Sequence, residues 1–319
     1  WGIQVVDLES GAVLYQLNAN RLFVPASNTK LFSTALGLIR LGPDYRFVTR
    51  VATEAPPDEA GRIAGDLVLV GGGDPNLSSR VLPYEKKEEF RPDRLEAIEE
   101  LAAEVAAAGV RRVEGNIVGD DSYWVWERWA DTWAVEDIGN EDGPPVTALA
   151  LNDNLVALHM RPGGRIEWDP PLAYYQVDHR NGAGRLRVRR EPGERIVHVW
   201  GEIGGGRSEF LAIDDPARYA AQALREALLR RGVTVVGEAA SRHRMAWEGE
   251  TGRPGDGARG ATTLVSRSSW PLAEDLRVIN KASQNLHAEM VLREVARQRR
   301  GVGSFEASRA ELRAFLGEI

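Results

Sequence analysis

Phe23-Val24-Pro25-Ala26-Ser27-Asn28-Thr29-Lys30 sets a hydroxyl and an amine three positions apart. Two β-rich runs precede it, residues 2–8 and 12–17, separated by Glu9-Ser10-Gly11, and they read as a hairpin. From residue 27 onward Leu31, Ala35 and Leu38 recur at helical spacing, and Leu41-Gly42-Pro43 stops the run. Ser27 and Lys30 therefore face each other over one helical turn. A serine hydroxyl is too weakly acidic to attack a carbonyl unaided, so it needs a base beside it and a donor for the oxyanion. Lys30 can be that base if burial holds it neutral. A helix start leaves backbone N–H groups free for the oxyanion and adds a favourable dipole. Standing alone, the same pattern fits a serine that caps a helix beside a solvated lysine.

A second constellation lies far downstream, Lys281-Ala282-Ser283-Gln284-Asn285. Ser283 and Asn285 can face the same side of a turn, offering a hydroxyl for proton relay and an amide for a substrate carbonyl. Lys281 is a second amine nearby. The plain alternative is an N-cap for the helix that follows. Together the two constellations point to an acyl-transfer enzyme.

The chain has 319 residues, enough for two or three domains, and 43% are hydrophobic, enough for a sizeable core. The net charge of −7 arises from interspersed acids and bases, which argues against a nucleic-acid partner. There is no cysteine, which removes disulfides, thiolate metal sites and cysteine nucleophiles and suits an extracytoplasmic compartment. No apolar run approaches a membrane span. The sequence opens on Trp1 rather than Met, with no signal-peptide pattern, and reads as processed or trimmed.

Strands are predicted over 47–51, 66–70, 146–160, 185–203 and 233–236, and helices over 93–109, 216–231, 271–279 and 285–298. Residues 110–118 read as loop and strand, and the Gly- and Arg-rich stretch 248–260 as a loop or linker. In Arg185-Leu186-Arg187-Val188-Arg189 the alternation predicts a strand with one wet face; the arginines over 185–190 are expected on a solvated surface.

On these residues the chain resembles the class C low-molecular-mass penicillin-binding proteins, the D-alanyl-D-alanine carboxypeptidase/endopeptidase family. The matching stretches, in the family's order, are 23–30 (FVPASNTK), 41–46 (LGPDYR), 65–75 (GDLVLVGGGDP), 118–123 (VGDDSY), 149–156 (LALNDNLV) and 280–290 (NKASQNLHAEM). The resemblance implies an α+β fold in which a transpeptidase-like domain, residues 1–46 and 258–319, is interrupted by a β-rich insertion. That insertion would comprise a second domain, 47–75 and 150–257, with a third, 76–149, nested in it. It further implies catalysis without a cofactor or metal: Ser27 as nucleophile, Lys30 as base, Ser283 as proton relay and Asn285 as the substrate-binding amide. The substrates implied are peptidoglycan stem peptides, with β-lactam antibiotics as acylating ligands. The setting would be extracytoplasmic, with peripheral membrane association allowed.

Two departures stand out. Gln284 occupies the usual aspartate position of the second motif, its side chain expected to point away from the reacting centre. No Lys-Thr-Gly occurs; the sequence reads as C-terminally truncated, or else as a degenerate, non-catalytic wall-binding relative. A β-lactamase or esterase of similar architecture is the rival within the same chemistry. Elsewhere, Gly71-Gly72-Gly73-Asp74-Pro75 reads as a strand-ending turn rather than a phosphate loop, and His287 with Glu289 lacks metal-binding spacing. The tryptophan-rich segment 123–133 reads as aromatic packing, with Tyr123 and Trp124 as candidates for substrate side-chain recognition.

Overall fold

The computed structural model describes residues 1–85, 89–131, 133–248 and 261–318. Most of the stretch read as a linker, from 249 on, lies outside them. Helices among the described residues are α1 (Lys30–Leu41), α2 (Glu96–Ala107), α3 (Pro216–Arg230), α4 (Leu272–Ala282), α5 (Asn285–Arg300) and α6 (Phe305–Glu318). With several sheets beside them, the architecture is α+β.

The N-terminal runs pair as an antiparallel ribbon, Ile3–Val6 against Val13–Leu17. Its turn is held by Asp7, whose carboxylate accepts from the Ser10 N–H at 2.7 Å and the Ser10 hydroxyl at 2.6 Å. Every strand residue of the ribbon is exposed. A 3-10 turn, Ala26–Thr29, then leads into α1.

Helices α1, α4, α5 and α6 share an apolar core that includes Leu36, Phe47, Leu276, Ile279, Val291, Val295 and Phe315. The approach of α1 to α5 depends on Gly37, where a Cβ would sit 2.6 Å from Cγ1 of Val291. Removing that methyl-sized volume lets two backbones come close enough to interlock.

Beside this layer stands a five-stranded sheet in the order Ala239–Arg244, Ile117–Val125, Leu67–Val70, Val48–Thr53, Thr262–Ser268. Ile117–Val125 runs parallel to both its neighbours, and the other pairs are antiparallel. A separate large core, with Val51, Leu67, Leu69, Ile98, Leu101, Ile117, Leu224 and Leu228, joins the sheet to α2 and α3. Among the described residues three smaller sheets complete this part: Arg207–Ala212, Leu155–Met160 and Ile166–Asp169 in one, Gln176–Asn181, Ile196–Gly201 and Arg187–Arg189 in another, and Thr234–Val235, Arg112–Val113 and Arg62–Ile63 in the third.

The pairing of the last two strands in this order brings together the segments that carry the sequence motifs. Val48 pairs with Ser268, and Ser269 then bonds both ways with Phe47, its hydroxyl accepting from the Phe47 N–H at 3.0 Å and its own N–H donating to the Phe47 carbonyl at 2.9 Å. The chain therefore leaves the helical layer after α1 and returns to it before α4 at one point.

Two sequence expectations need correction. Only Leu155–Met160 of 146–160 is a strand; the preceding residues form a buried irregular segment that ends in a left-handed turn at Asn152, Asp153 and Asn154, φ 52°, 57° and 56°. Arg187 and Arg189 are exposed as expected, but the side chain of Arg190 is turned inward, pairing with Asp214 and donating to the Ala212 carbonyl at 2.7 Å. A strict alternation cannot reveal a partner supplied by a distant segment of the chain.

Candidate active site

The 3-10 turn before α1 carries Ser27, and the first residue of α1 is Lys30. Neither is spent on capping: the residue before the turn is Pro25, that before the helix is Thr29, and neither makes a side-chain cap. Ala26, immediately before Ser27, is left-handed at φ 46°, a conformation that costs a non-glycine residue about 1 kcal/mol or more. Stored strain beside a would-be nucleophile is a feature of reactive sites.

Lys30 Nζ donates to Ser27 Oγ at 2.9 Å and to Ser283 Oγ at 3.2 Å. Ser283 Oγ in turn donates to Ser27 Oγ at 2.9 Å. The three groups form a closed triangle. Lys30 is 8% exposed, and burial lowers the pKa of its amine, the Asp142 carboxylate opposing that shift only in part. A neutral Lys30 would turn a lone pair toward the Ser27 O–H over the same short distance.

Ser283 ends α4 in the left-handed conformation, φ 61° and ψ 37°. The N-cap position of α5 belongs to Gln284, which makes no side-chain cap. The capping alternative for this motif is thus set aside: the Ser283 hydroxyl reaches across to Ser27 instead. Lys281 is exposed on the last turn of α4. Asn285 opens α5, and its Nδ2 donates to the Asp142 carbonyl at 2.9 Å. A loop from the middle of the chain thus lies against the second motif.

Behind the motif is a charge cluster that motif reading missed. His287 is fully buried, Nδ1 against Asp275 Oδ1 at 2.7 Å and Nε2 against Asp153 Oδ1 at 3.0 Å. Burial alone would lower its pKa, but the two carboxylates outweigh this and lift it to about 9. Burial pushes the Asp153 carboxyl up, yet Arg80 and His287 hold it below its ordinary value. The position of His287 on the apolar-spaced α5 was the only signal in the sequence.

Tyr123 and Trp124 make their contacts within the protein. Trp124 is buried among Leu286, Met290, Val146 and Ala148, and the Tyr123 hydroxyl donates to Glu294 Oε1 at 3.1 Å. The close approach of Trp124 to Gly73, whose φ is +83°, leaves no room for a Cβ there. Trp126 stacks on His243 with centroids 3.9 Å apart. Gly71 directly follows the strand Leu67–Val70, as a strand-ending turn should. Among the described residues no group of acidic and histidine side chains is arranged to hold a metal ion, and no helix is long and apolar enough to cross a membrane.

Comparison with known proteins places this geometry in context. The model of the D-Ala-D-Ala carboxypeptidase 3 (S13) family matches residues 1–319. A D-alanyl-D-alanine carboxypeptidase of Actinomadura sp. is 31% identical, over 96% of this chain and 56% of that protein. Carboxypeptidase DacB of Mycolicibacterium smegmatis is 28% identical, over 96% of this chain and 50% of its own length. The chain thus spans about half the length of the curated relatives it matches. Penicillin binding protein 4 of Haemophilus influenzae superposes with a TM-score of 0.79 at 19% identity, covering 99% of this chain and 67% of that one. The same protein complexed with a novel β-lactam superposes at 0.70. The fold is that of a penicillin-binding protein.

Proposed function

Because the chain belongs to the D-Ala-D-Ala carboxypeptidase 3 (S13) family, we propose that its hydroxyl–amine–hydroxyl triangle performs serine D-alanyl-D-alanine carboxypeptidase or endopeptidase chemistry on peptidoglycan stem peptides. The single observation that carries this reading is the mutual contact of Ser27, Lys30 and Ser283.

Ser27 Oγ attacks the carbonyl carbon of the penultimate D-alanine as its proton passes to a neutral Lys30 Nζ. A backbone N–H at the start of the 3-10 turn would stabilise the oxyanion. Collapse breaks the peptide C–N bond, and the proton moves from Lys30, directly or through Ser283 Oγ, to the departing amine of the terminal residue. Water then hydrolyses the ester by the reverse proton path. A β-lactam would open its ring by the same first step, and its leaving nitrogen stays tethered to the acyl group, so the adduct persists. Asn285 Nδ2 would exchange the Asp142 carbonyl for a substrate carbonyl. The substrate class implies a place outside the cytoplasmic membrane.

The same reading divides the chain into a catalytic part, residues 1–46 and 258–319, and an inserted part between them. The separate apolar cores of the two support that division. A labelled penicillin provides the test: incubation with the full chain is expected to give a covalent adduct that disappears in Ser27→Ala. Label that survives this substitution, or its absence from the wild-type chain, overturns the reading.

A further inference from the structure

Gln284 makes a contact that the chemistry above does not use. Its Nε2 donates to Asp153 Oδ2 at 2.9 Å. Asp153 sits at the centre of the left-handed turn Asn152–Asn154, itself pinned by Asn154, which accepts from the Leu151 N–H at 3.1 Å and donates to the Pro145 carbonyl at 2.7 Å. Three successive non-glycine residues in this conformation are costly, roughly 1 kcal/mol or more each, although Asn and Asp tolerate it best. The turn aims one carboxylate at three partners: Arg80, His287 and Gln284.

The rest of the cluster ties down both sides of the second motif. His287 belongs to α5 and Asp275 to α4, the helices that Ser283 joins. Asn76 Nδ2 donates to the same Asp275 oxygen at 2.7 Å. Arg80, with a fully buried side chain, also pairs with Glu89 and lies over the Phe90 ring at 4.4 Å. Arg94 adds a more distant positive charge facing Asp153. Burying this many charges is a poor way to gain stability, since well-packed apolar groups do as well or better. Their attested use is to fix a geometry.

The geometry in need of fixing is that of Ser283. It is the only residue with a left-handed backbone in the span of α4 and α5, and in that conformation of the helix–helix joint its hydroxyl is directed at Ser27. We propose that Gln284, anchored by Asp153 of the left-handed turn, is a positioning residue that holds Ser283 in the triangle. The inserted part of the chain thereby sets the geometry of the second motif. The proposal rests on the carboxypeptidase reading for its kinetic consequence but not for its structural one.

Gln284→Met keeps the side-chain volume and removes only the donor, leaving the charge cluster intact. Amide hydrogen exchange over residues 283–286 of the full chain is expected to quicken by about tenfold or more, and covalent labelling of Ser27 by penicillin to slow by about 10- to 100-fold, with an unchanged melting temperature. Gln284→Glu faces the Asp153 carboxylate; relative to wild type at the same pH, its labelling should be poor near neutrality and recover toward about pH 5, where the acid form can donate again. Unchanged exchange in Gln284→Met, or a Gln284→Glu rate ratio that does not rise as pH falls, overturns the proposal. A wild-type chain that takes no label overturns the catalytic reading instead, and exchange still decides the positioning role.

Discussion

At Lys30 one amine must be both buried and reachable, and its 8% exposure with contacts to two hydroxyls meets both demands. Lys30→Arg keeps the charge but presents a guanidinium that cannot act as a base. Labelling of Ser27 should fall by about 10²–10⁴-fold, the range for a lost general base, while circular dichroism melting shows a folded chain. Ser283→Ala should cost less than Lys30→Arg and at least as much as Gln284→Met, about 100-fold, because Lys30 retains its direct path to Ser27. A stopped-flow acylation assay ranks the two, and the reverse order would make the relay through Ser283 the main proton path. The residues of this triangle were legible because their types and spacing are local within each motif. His287, Asp275 and Asp153 were not: their meeting depends on three separate segments, and an aspartate in a left-handed turn looks like any loop residue until its partners are placed.

Packing decides the next scale. The contact between α1 and α5 has no space for a side chain at Gly37, so Gly37→Leu should destabilise the chain by about 1–3 kcal/mol through overpacking, measured as a lower urea midpoint. Loss of penicillin labelling should accompany it, because the displaced helix carries Lys30. The helices and the hairpin were readable from apolar period and from Gly and Pro punctuation. Strands such as Gln176–Asn181 and Ala239–Arg244 were not, for QVDHRN and AASRHR are polar on both faces and become strands only by pairing with neighbours. Thr262–Ser268 escaped for a related reason: what defines it is its register with Val48–Thr53, a strand far away in sequence. The terminal helix α6 buries Ala307 and Phe315 on a narrow stripe among many charges, a weak periodic signal.

For the molecule as a whole, two histidines, one buried and one half-buried, set the response to alkali. His287, and His243 between Asp121 and Asp215, have pKa values lifted to about 9. Groups raised in the folded state stabilise it fully below their unfolded value near 6.5 and lose that contribution as pH climbs through about 9. For His287 the shift corresponds to roughly 3 kcal/mol. Thermal stability should therefore fall between about pH 7 and 10, and His287→Gln should flatten that fall. The depressed Lys30 amine works in the opposite sense, since deprotonation suits its folded environment. At the acid end Asp153, held low, gives up its contribution as pH drops below the ordinary carboxylate range. The triangle itself has a temporal consequence. Its two arms are 253 residues apart along the chain, so a ribosome releases the first long before the second, and everything between must find its place before they touch. Penicillin labelling is thus a completion signal for folding: in a refolding time course it should rise later than the far-ultraviolet circular dichroism, which reports the local formation of helices.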